Sequence, residues 1–164
     1  MSRSSTPVPE TPADRRRLLP GLAEHVEGLA RSHGRIDESH RAAGEALAAW
    51  IADRHCPGEA LHVLVVCTGN SRRSILGSTM GNLAAAWCGM PEVRFHSGGT
   101  GPTAFNPRTI DALRRIGVRV EPTGDEAPRG EPGTANPVYR VRWGSPGAPP
   151  MEAVELSKRY DDPS

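Results

Sequence analysis

The sequence has few aromatic residues, almost no lysine and little net charge. Phe, Trp and Tyr make up 4% of its 164 residues, and Lys158 is the single lysine among 20 basic residues. The formal net charge is +1, so no field of the whole protein favours nucleic acid or an anionic membrane surface. Any charged ligand must therefore be held by a local group of residues.

Long apolar runs and a cysteine framework are also missing. No stretch reaches the roughly 18 apolar residues of a membrane span, and the first residues lack the apolar core of a signal peptide. Cys56, Cys67 and Cys88 are odd in number and lack the spacing of a disulfide framework or a zinc site. We therefore predict reduced thiols, a cytoplasmic location and no membrane partner.

The six histidines show no metal-site spacing either. His62 and His96 lie in strand-like segments, where a structural histidine is more common than a ligand. The sequence therefore predicts neither a metal nor another cofactor.

The N-terminal part divides into a tail and a helical hairpin. Residues 1–14 are rich in Pro, Ser and Thr, a composition that predicts a disordered tail. Residues 15–60 predict two helices, one from Pro20 to Gly34 and one after Asp37. One face of the second helix carries Ala43, Ala46, Leu47, Trp50 and Ile51. We expect the hairpin to shield a face of the core or sheet, with docking of a partner as the alternative.

Residues 61–164 predict an α/β domain with a parallel sheet flanked by helices. The predicted elements are a strand at 61–66, a helix at 74–88, a strand at 93–97, a helix from Pro107 to Gly117 and a third strand at 118–122. The first strand is apolar throughout, which is typical of strands buried on both faces of a parallel sheet. The Pro/Gly-rich residues 122–150 predict a loop with one edge strand at 138–143, and a short helix at 151–160 follows.

The boundary between the first strand and its helix carries a chemical motif, Cys67 followed by Arg73. A bare pattern of Cys, five residues and Arg means little, because Cys88 and Arg94 repeat it. The second copy runs from a helix end into a strand and includes Glu92, which would repel an anion. We therefore assign chemistry only to the copy at Cys67.

The residues after Cys67 predict a phosphate-binding loop formed by Thr68, Gly69, Asn70, Ser71, Arg72, Arg73 and Ser74. Gly69 and Asn70 tolerate left-handed backbone, and a helix N-terminus turns N–H groups toward a bound oxyanion. Arg73 supplies a bidentate fork for phosphate oxygens. The same positive potential is expected to lower the pKa of Cys67 and make it a nucleophile, while Ser74 donates a hydrogen bond to its sulfur.

The segment VLVVCTGNSRRS resembles the signature loop of the low-molecular-weight protein tyrosine phosphatase family and its thioredoxin-coupled arsenate reductase relatives. HSGGT at 96–100 and FNPRTIDALRRIGV further on are similar to the second strand and following helix of that family, so the resemblance covers roughly residues 62–121. It implies that Cys67 is the nucleophile, that Arg73 and the loop amides bind phosphate, and that Asn70 and Ser74 support the loop.

Two departures from the family pattern matter. Arg72 stands where many members have a second cysteine that can protect the nucleophile. Members also have a four-stranded sheet and a C-terminal aspartate that acts as general acid. Here Asp161 and Asp162, before Pro163, are the candidates for that acid, with a frayed terminus as the alternative. We expect an incomplete sheet whose open edge is covered by 138–143 or leads to self-association.

Three functions remain open from the sequence. The first is hydrolysis of a phosphorylated protein or small phosphate ester, of the tyrosine phosphatase type, through a cysteinyl-phosphate on Cys67. The second is arsenate reduction, since arsenate mimics phosphate, as vanadate does. The third is non-catalytic binding of phosphate or a phosphoprotein by a truncated, inactive member of the family.

Overall fold

The computed structural model describes residues 18–90, 92–127 and 133–144. In this part the chain is an α/β protein with four helices and a small parallel sheet. The helices are α1 (Leu22–Arg31), α2 (Glu38–Arg54), α3 (Arg73–Trp87) and α4 (Pro107–Arg115), and the strands are β1 (Leu61–Cys67), β2 (Val93–Gly99), β3 (Arg119–Glu126) and β4 (Pro137–Arg142). None of these helices is long and apolar enough to cross a membrane.

Several predictions concern residues outside the described part. These are the tail at 1–14, the helix at 151–160 and the two candidate acids, Asp161 and Asp162.

The parallel sheet consists of β1 and β2, joined through α3. Their register runs from Leu61 opposite Val93 to Cys67 opposite Gly99. The carboxyl ends of both strands therefore lie side by side, and the segments that follow Cys67 and Gly99 leave the sheet at the same edge. This is the edge at which open α/β sheets bind ligands.

Among the described residues only one face of β1 is covered, which corrects the prediction of a strand buried on both faces. Val63 and Val65 are partly buried under α3, whereas Leu64 is 46% and Val66 39% exposed. The prediction failed because an apolar strand is buried on both faces only when helices lie on both. Within the described residues, α3 packs on one face and no helix packs on the other.

β3 and β4 form an antiparallel pair of their own, from Arg119 opposite Arg142 to Glu126 opposite Pro137. The segment at 118–122 is therefore not a third strand of the parallel sheet, and residues 122–126 are strand rather than loop. About ten residues connect the two strands, too few for the crossover that a parallel pair needs. Because β4 pairs with β3, it does not cover the open edge of β1, for which self-association stays a prediction.

Val120 and Val141, each at most 2% exposed, turn one face of this pair toward the main core. The core also contains Leu18 and Leu19 before α1, Phe105 before α4, Trp143 after β4, and residues of α1, α3 and α4: Leu22, Val26, Ile75, Leu83, Trp87, Ile110 and Leu113. Leu19 donates its N–H to the Trp143 carbonyl at 2.8 Å, which links the start of the described chain to the end of β4.

The two helices of the predicted hairpin differ in their burial. The helical spacing predicts an apolar face of Leu22, Val26 and Leu29 in α1; Leu22 and Val26 lie in the main core, whereas Leu29 is 49% exposed. In α2, Ile51 is buried, but Leu47 and Trp50 are each 42% exposed. Asp37 caps α2 by accepting the His40 N–H, so the predicted start is confirmed, whereas the predicted apolar face is mostly uncovered in the described part.

Candidate active site

The loop between β1 and α3 consists of residues 68–72 and begins at the carboxyl end of the sheet. Asn70 is fully buried and has a φ of +41°, the left-handed conformation that asparagine tolerates better than most residues. Gly69 precedes it and adds no side chain to the crowded turn. The sequence prediction that these two positions allow a tight turn agrees with this backbone at Asn70.

The outer side of the loop is fixed by the segment at 100–106, which follows β2. The carbonyls of Cys67, at the end of β1, and of three loop residues accept N–H groups from this segment. The pairs are Cys67 with Thr100 at 3.2 Å, Thr68 with Gly101 at 2.9 Å, Gly69 with Thr103 at 2.8 Å and Ser71 with Asn106 at 3.2 Å. Ser71 Oγ also donates to the Ala104 carbonyl at 2.6 Å. The loop is thus held along its length by backbone hydrogen bonds.

These bonds determine the direction of the loop amides. In a trans peptide unit the carbonyl of one residue and the N–H of the next point in opposite directions. Because the carbonyls point toward segment 100–106, the N–H groups that follow them point away from it: those of Thr68, Gly69, Asn70 and Arg72. Successive N–H groups turned to one side form a concave anion site.

Gly99, at the end of β2, allows the loop to pack this closely. A Cβ at this position would lie 2.7 Å from the Asn70 nitrogen and 2.8 Å from the Thr68 oxygen. Both neighbours are backbone atoms, which cannot move away as a flexible side chain can. Close contact with the loop thus explains why the second glycine of HSGGT, Gly99, carries no side chain.

Under the loop, Cys67, Ser74 and Asn70 form a chain of polar atoms. Ser74 Oγ lies 3.1 Å from Cys67 Sγ and 2.9 Å from Asn70 Oδ1. A hydroxyl has one hydrogen to donate, so Ser74 serves one acceptor at a time. It donates to Asn70 when the thiol is protonated and to the sulfur when the thiol is ionised.

The pKa of Cys67 reflects two opposing effects. Partial burial raises this pKa, but hydrogen bonds to the sulfur from the Ser74 hydroxyl and from backbone N–H groups lower it. The N–H donors belong to Ser74, Asn70 and Ser71. Hydrogen bonds prevail, and the pKa of Cys67 falls to about 7. About half of the thiol is therefore ionised at neutral pH, as a nucleophile requires.

The N-terminus of α3 adds positive potential to the loop. Its first turn contains no acidic residue and has no side-chain cap, and the Ser74 N–H within it donates to Cys67 Sγ. Arg72 and Arg73 are both exposed, and neither side chain forms a hydrogen bond or ion pair with another described residue. The guanidinium of Arg73 is thus available to a bound oxyanion.

Cys88, the cysteine of the second copy of the motif, has the opposite surroundings. It is the C-cap of α3 and donates its own N–H to the Ala84 carbonyl at 2.9 Å. Burial raises the pKa of the Cys88 thiol. Glu92, within the same segment, lies 3.3 Å from His55 Nε2. These observations agree with the sequence argument against this copy.

Segment 100–106 was predicted from the sequence only as a loop, with no part in the site. Its role was missed because backbone hydrogen bonds to a distant segment leave little trace in a single sequence. The signal that existed was the pair Gly98-Gly99 directly after a predicted strand, since glycine often marks a close approach of another backbone. No group of three or more potential metal ligands occurs among the described residues.

Comparisons with known proteins add no assignment: no protein-family profile, curated protein or solved structure matches the chain significantly.

Proposed function

We propose that the chain hydrolyses phosphate monoesters with Cys67 as nucleophile, as a protein related in fold and chemistry to the low-molecular-weight tyrosine phosphatases. The observation that supports this most directly is the loop itself. Its N–H groups turn to one side, its carbonyls are bound on the other, and it begins with a cysteine whose pKa is about 7. An anion site directly beside an ionisable sulfur suits attack on phosphorus.

In the proposed reaction the Cys67 thiolate attacks the phosphorus of the ester. The sulfur–phosphorus bond forms while the bond to the ester oxygen breaks, and that oxygen leaves with a proton. The loop amides and Arg73 hold the three remaining phosphoryl oxygens and stabilise their charge. Water then attacks the phosphorus, inorganic phosphate is released, and Cys67 leaves as a thiolate. Ser74 aids this second step by donating its hydroxyl hydrogen to the departing sulfur.

Asp161 and Asp162 are the candidate donors of a proton to the leaving oxygen. Both lie outside the described residues. The leaving group of a phosphotyrosine ester is the tyrosine hydroxyl, which has a pKa of roughly 10. General acid catalysis typically raises the rate of such a step by roughly 10² to 10⁴-fold. A leaving group such as p-nitrophenolate needs less help from an acid. We therefore choose p-nitrophenyl phosphate as the first substrate, because it tests Cys67 without depending on the acid.

The test is a rapid-mixing assay of p-nitrophenol release with the full chain. We expect a burst near one equivalent per chain, inhibited by vanadate, that disappears in Cys67→Ser and persists in the matched control Cys88→Ser. Loss of the burst in both variants, or equal bursts in both, would contradict the assignment to Cys67. Saturable vanadate binding with no release of p-nitrophenol would favour the alternative of a non-catalytic phosphate binder.

Arsenate reduction gains no support from the positions of the cysteines. Cys56 precedes β1 and Cys67 ends it, and the seven residues of this strand separate the two thiols by roughly 20 Å. Cys67 lies at the N-terminal end of α3 and Cys88 is its C-cap. A helix of 15 residues is roughly 22 Å long, so Cys88 cannot form a disulfide with Cys67 without unfolding the helix. We therefore propose ester hydrolysis rather than arsenate reduction.

A further inference from the structure

The face of the parallel sheet opposite α3 carries two exposed histidines that the proposed reaction does not use. His62 lies on β1 and His96 on β2, 34 positions apart in the sequence. The register pairs His62 with Arg94 and His96 with Leu64, so the two histidines are diagonal neighbours on one face. Their side chains meet in the structure, and both residues are exposed.

The two rings face each other through ring nitrogens. His62 Nδ1 lies 2.8 Å from His96 Nε2, the ring centroids are 5.0 Å apart, and the ring planes are inclined by 34°. One of these nitrogens must carry a hydrogen and the other a lone pair. The arrangement holds two potential ligand atoms at the surface, each presented by a different strand.

We propose that His62 and His96 form a two-imidazole site for a divalent transition metal such as Ni²⁺, Cu²⁺ or Zn²⁺. Imidazole suits these ions, and metal–nitrogen bonds of roughly 2.0–2.1 Å put two nitrogens of a tetrahedral centre roughly 3.3 Å apart. The present 2.8 Å needs to widen by only about half an ångström. Before binding, one of the two facing nitrogens carries a hydrogen, and as the metal binds this hydrogen moves to the other nitrogen of the same ring. Each neutral ring then binds through its facing nitrogen, and a neutral pair releases no net proton.

This site is separate from the phosphate-binding loop. Five positions along β1 separate His62 from Cys67, which is roughly 16 Å in a strand. No third His, Cys, Asp or Glu joins the pair to make a larger group in the described part of the chain. Water fills the other coordination positions, so the site is open and the metal exchangeable, unlike a closed structural zinc site.

The experiment is calorimetric titration of the untagged full chain with NiCl₂. We carry it out in a Cys67→Ser background, which removes the ionisable thiol and makes the result independent of phosphatase activity. We expect one Ni²⁺ per chain. Loss of a group that merely supports a metal ligand costs roughly 10- to 100-fold in affinity, so His62→Ala and His96→Ala should each weaken binding by at least roughly tenfold.

His33→Ala is the matched control, because His33 is also exposed but lies in the turn at His33–Arg35. It should bind Ni²⁺ like the parent. A second readout is thermal unfolding: a metal that bridges β1 and β2 in the folded state raises the Tm of the parent, but not that of His62→Gln or His96→Gln. Absence of both heat and a Tm shift in the parent, or unchanged binding in the two histidine variants, would overturn the proposal.

Discussion

The two ends of α3 carry the same short pattern, a cysteine with an arginine six positions later, and give the cysteine opposite properties. Cys67, at the N-terminal end, has its pKa lowered to about 7, whereas the pKa of Cys88, at the C-cap, is raised. Both thiols are partly buried. Burial raises the pKa of both thiols, and only at Cys67 do hydrogen bonds to the sulfur outweigh it.

The direction of the helix is consistent with hydrogen bonds to the sulfur at one end of α3 only. An N-terminus offers N–H groups without intrahelical partners, and these stabilise a negative sulfur, while a C-terminus offers carbonyl oxygens, which do not. Ser74 and the loop N–H groups are hydrogen-bond donors to Cys67, whereas the N–H of Cys88 is itself bound to Ala84. The spacing of cysteine and arginine thus does not determine the pKa of the cysteine; the groups around the sulfur at each end of α3 do.

The change that should break this contrast most completely is Gly99→Ala. The new Cβ would meet backbone atoms of Asn70 and Thr68 below 3.0 Å, so the loop must move away from β2. Overpacking of this kind costs about 1–3 kcal/mol. We expect a decrease of that size in the free energy of unfolding, measured by urea denaturation, and a Cys67 thiol that no longer reacts faster than an ordinary exposed thiol.

Gly101→Ala is the control for this change, because a Cβ there has no atom within 4 Å. It should leave both the unfolding midpoint and the reactivity of Cys67 close to those of the parent. If Gly99→Ala behaved like Gly101→Ala, the close contact between β2 and the loop would not be what shapes the anion site.

Alkylation by iodoacetamide measures the contrast directly. With a pKa of about 7, half of Cys67 is thiolate at pH 7, against about 3% of an ordinary thiol with a pKa of roughly 8.5. A thiolate of lower pKa is also less nucleophilic, with a Brønsted coefficient of roughly 0.4–0.5. The net expectation is that Cys67 reacts roughly threefold faster than an ordinary exposed thiol, and faster still than Cys88.

The pH profile gives the sharper readout, with labelled sites assigned by mass spectrometry of peptides. Because the pKa of Cys67 is lowered, its rate should rise through a midpoint near pH 7 and then level off, while the rate of Cys88 still increases. Phosphate or vanadate should slow the labelling of Cys67 alone. A single common midpoint for the two thiols, without protection by oxyanions, would contradict the argument.

The local structure of the loop and of α3 was predicted from the sequence better than the pairing of the strands. Cys67, the loop and the start of α3 are contiguous, so strand pattern, turn residues and helix start all act locally and could be combined. The predicted helix at 74–88 differs from α3 by one residue at each end, and Gly89 with its φ of +70° ends it as a C-terminal cap. Pro107 likewise predicts the beginning of α4, which Asn106 caps by accepting the Arg108 N–H.

The pairing of β3 with β4, the open face of β1 and the contact between His62 and His96 could not be predicted in this way. Each depends on which distant segment packs against another, and a strand pattern does not specify its partner. The apolar run in β1 was assigned to a fully covered strand although Leu64 and Val66 are exposed. For the same reason the sequence did not predict the contact of segment 100–106, whose N–H groups orient the loop.

Ser74→Ala should have the smallest effect on the contrast, a shift in the pKa of Cys67. It removes the hydroxyl 3.1 Å from Cys67 Sγ but keeps the backbone N–H that also lowers the pKa of this cysteine. A net hydrogen bond of about 0.5–1.5 kcal/mol corresponds to a rise in pKa of up to roughly one unit. We expect the alkylation midpoint of Cys67 to shift upward by that amount, while Cys88 is unchanged.

Ser78→Ala provides the matched control, one turn further along α3. Ser78 is equally buried, but its hydroxyl donates to the Ile75 carbonyl at 3.1 Å rather than to the sulfur. Its removal should leave the midpoint in place. If both serine variants shifted the midpoint equally, the cause would be a general loosening of α3. A shift confined to Ser74→Ala would instead assign part of the lowered pKa to one hydroxyl, with the backbone N–H groups responsible for the rest.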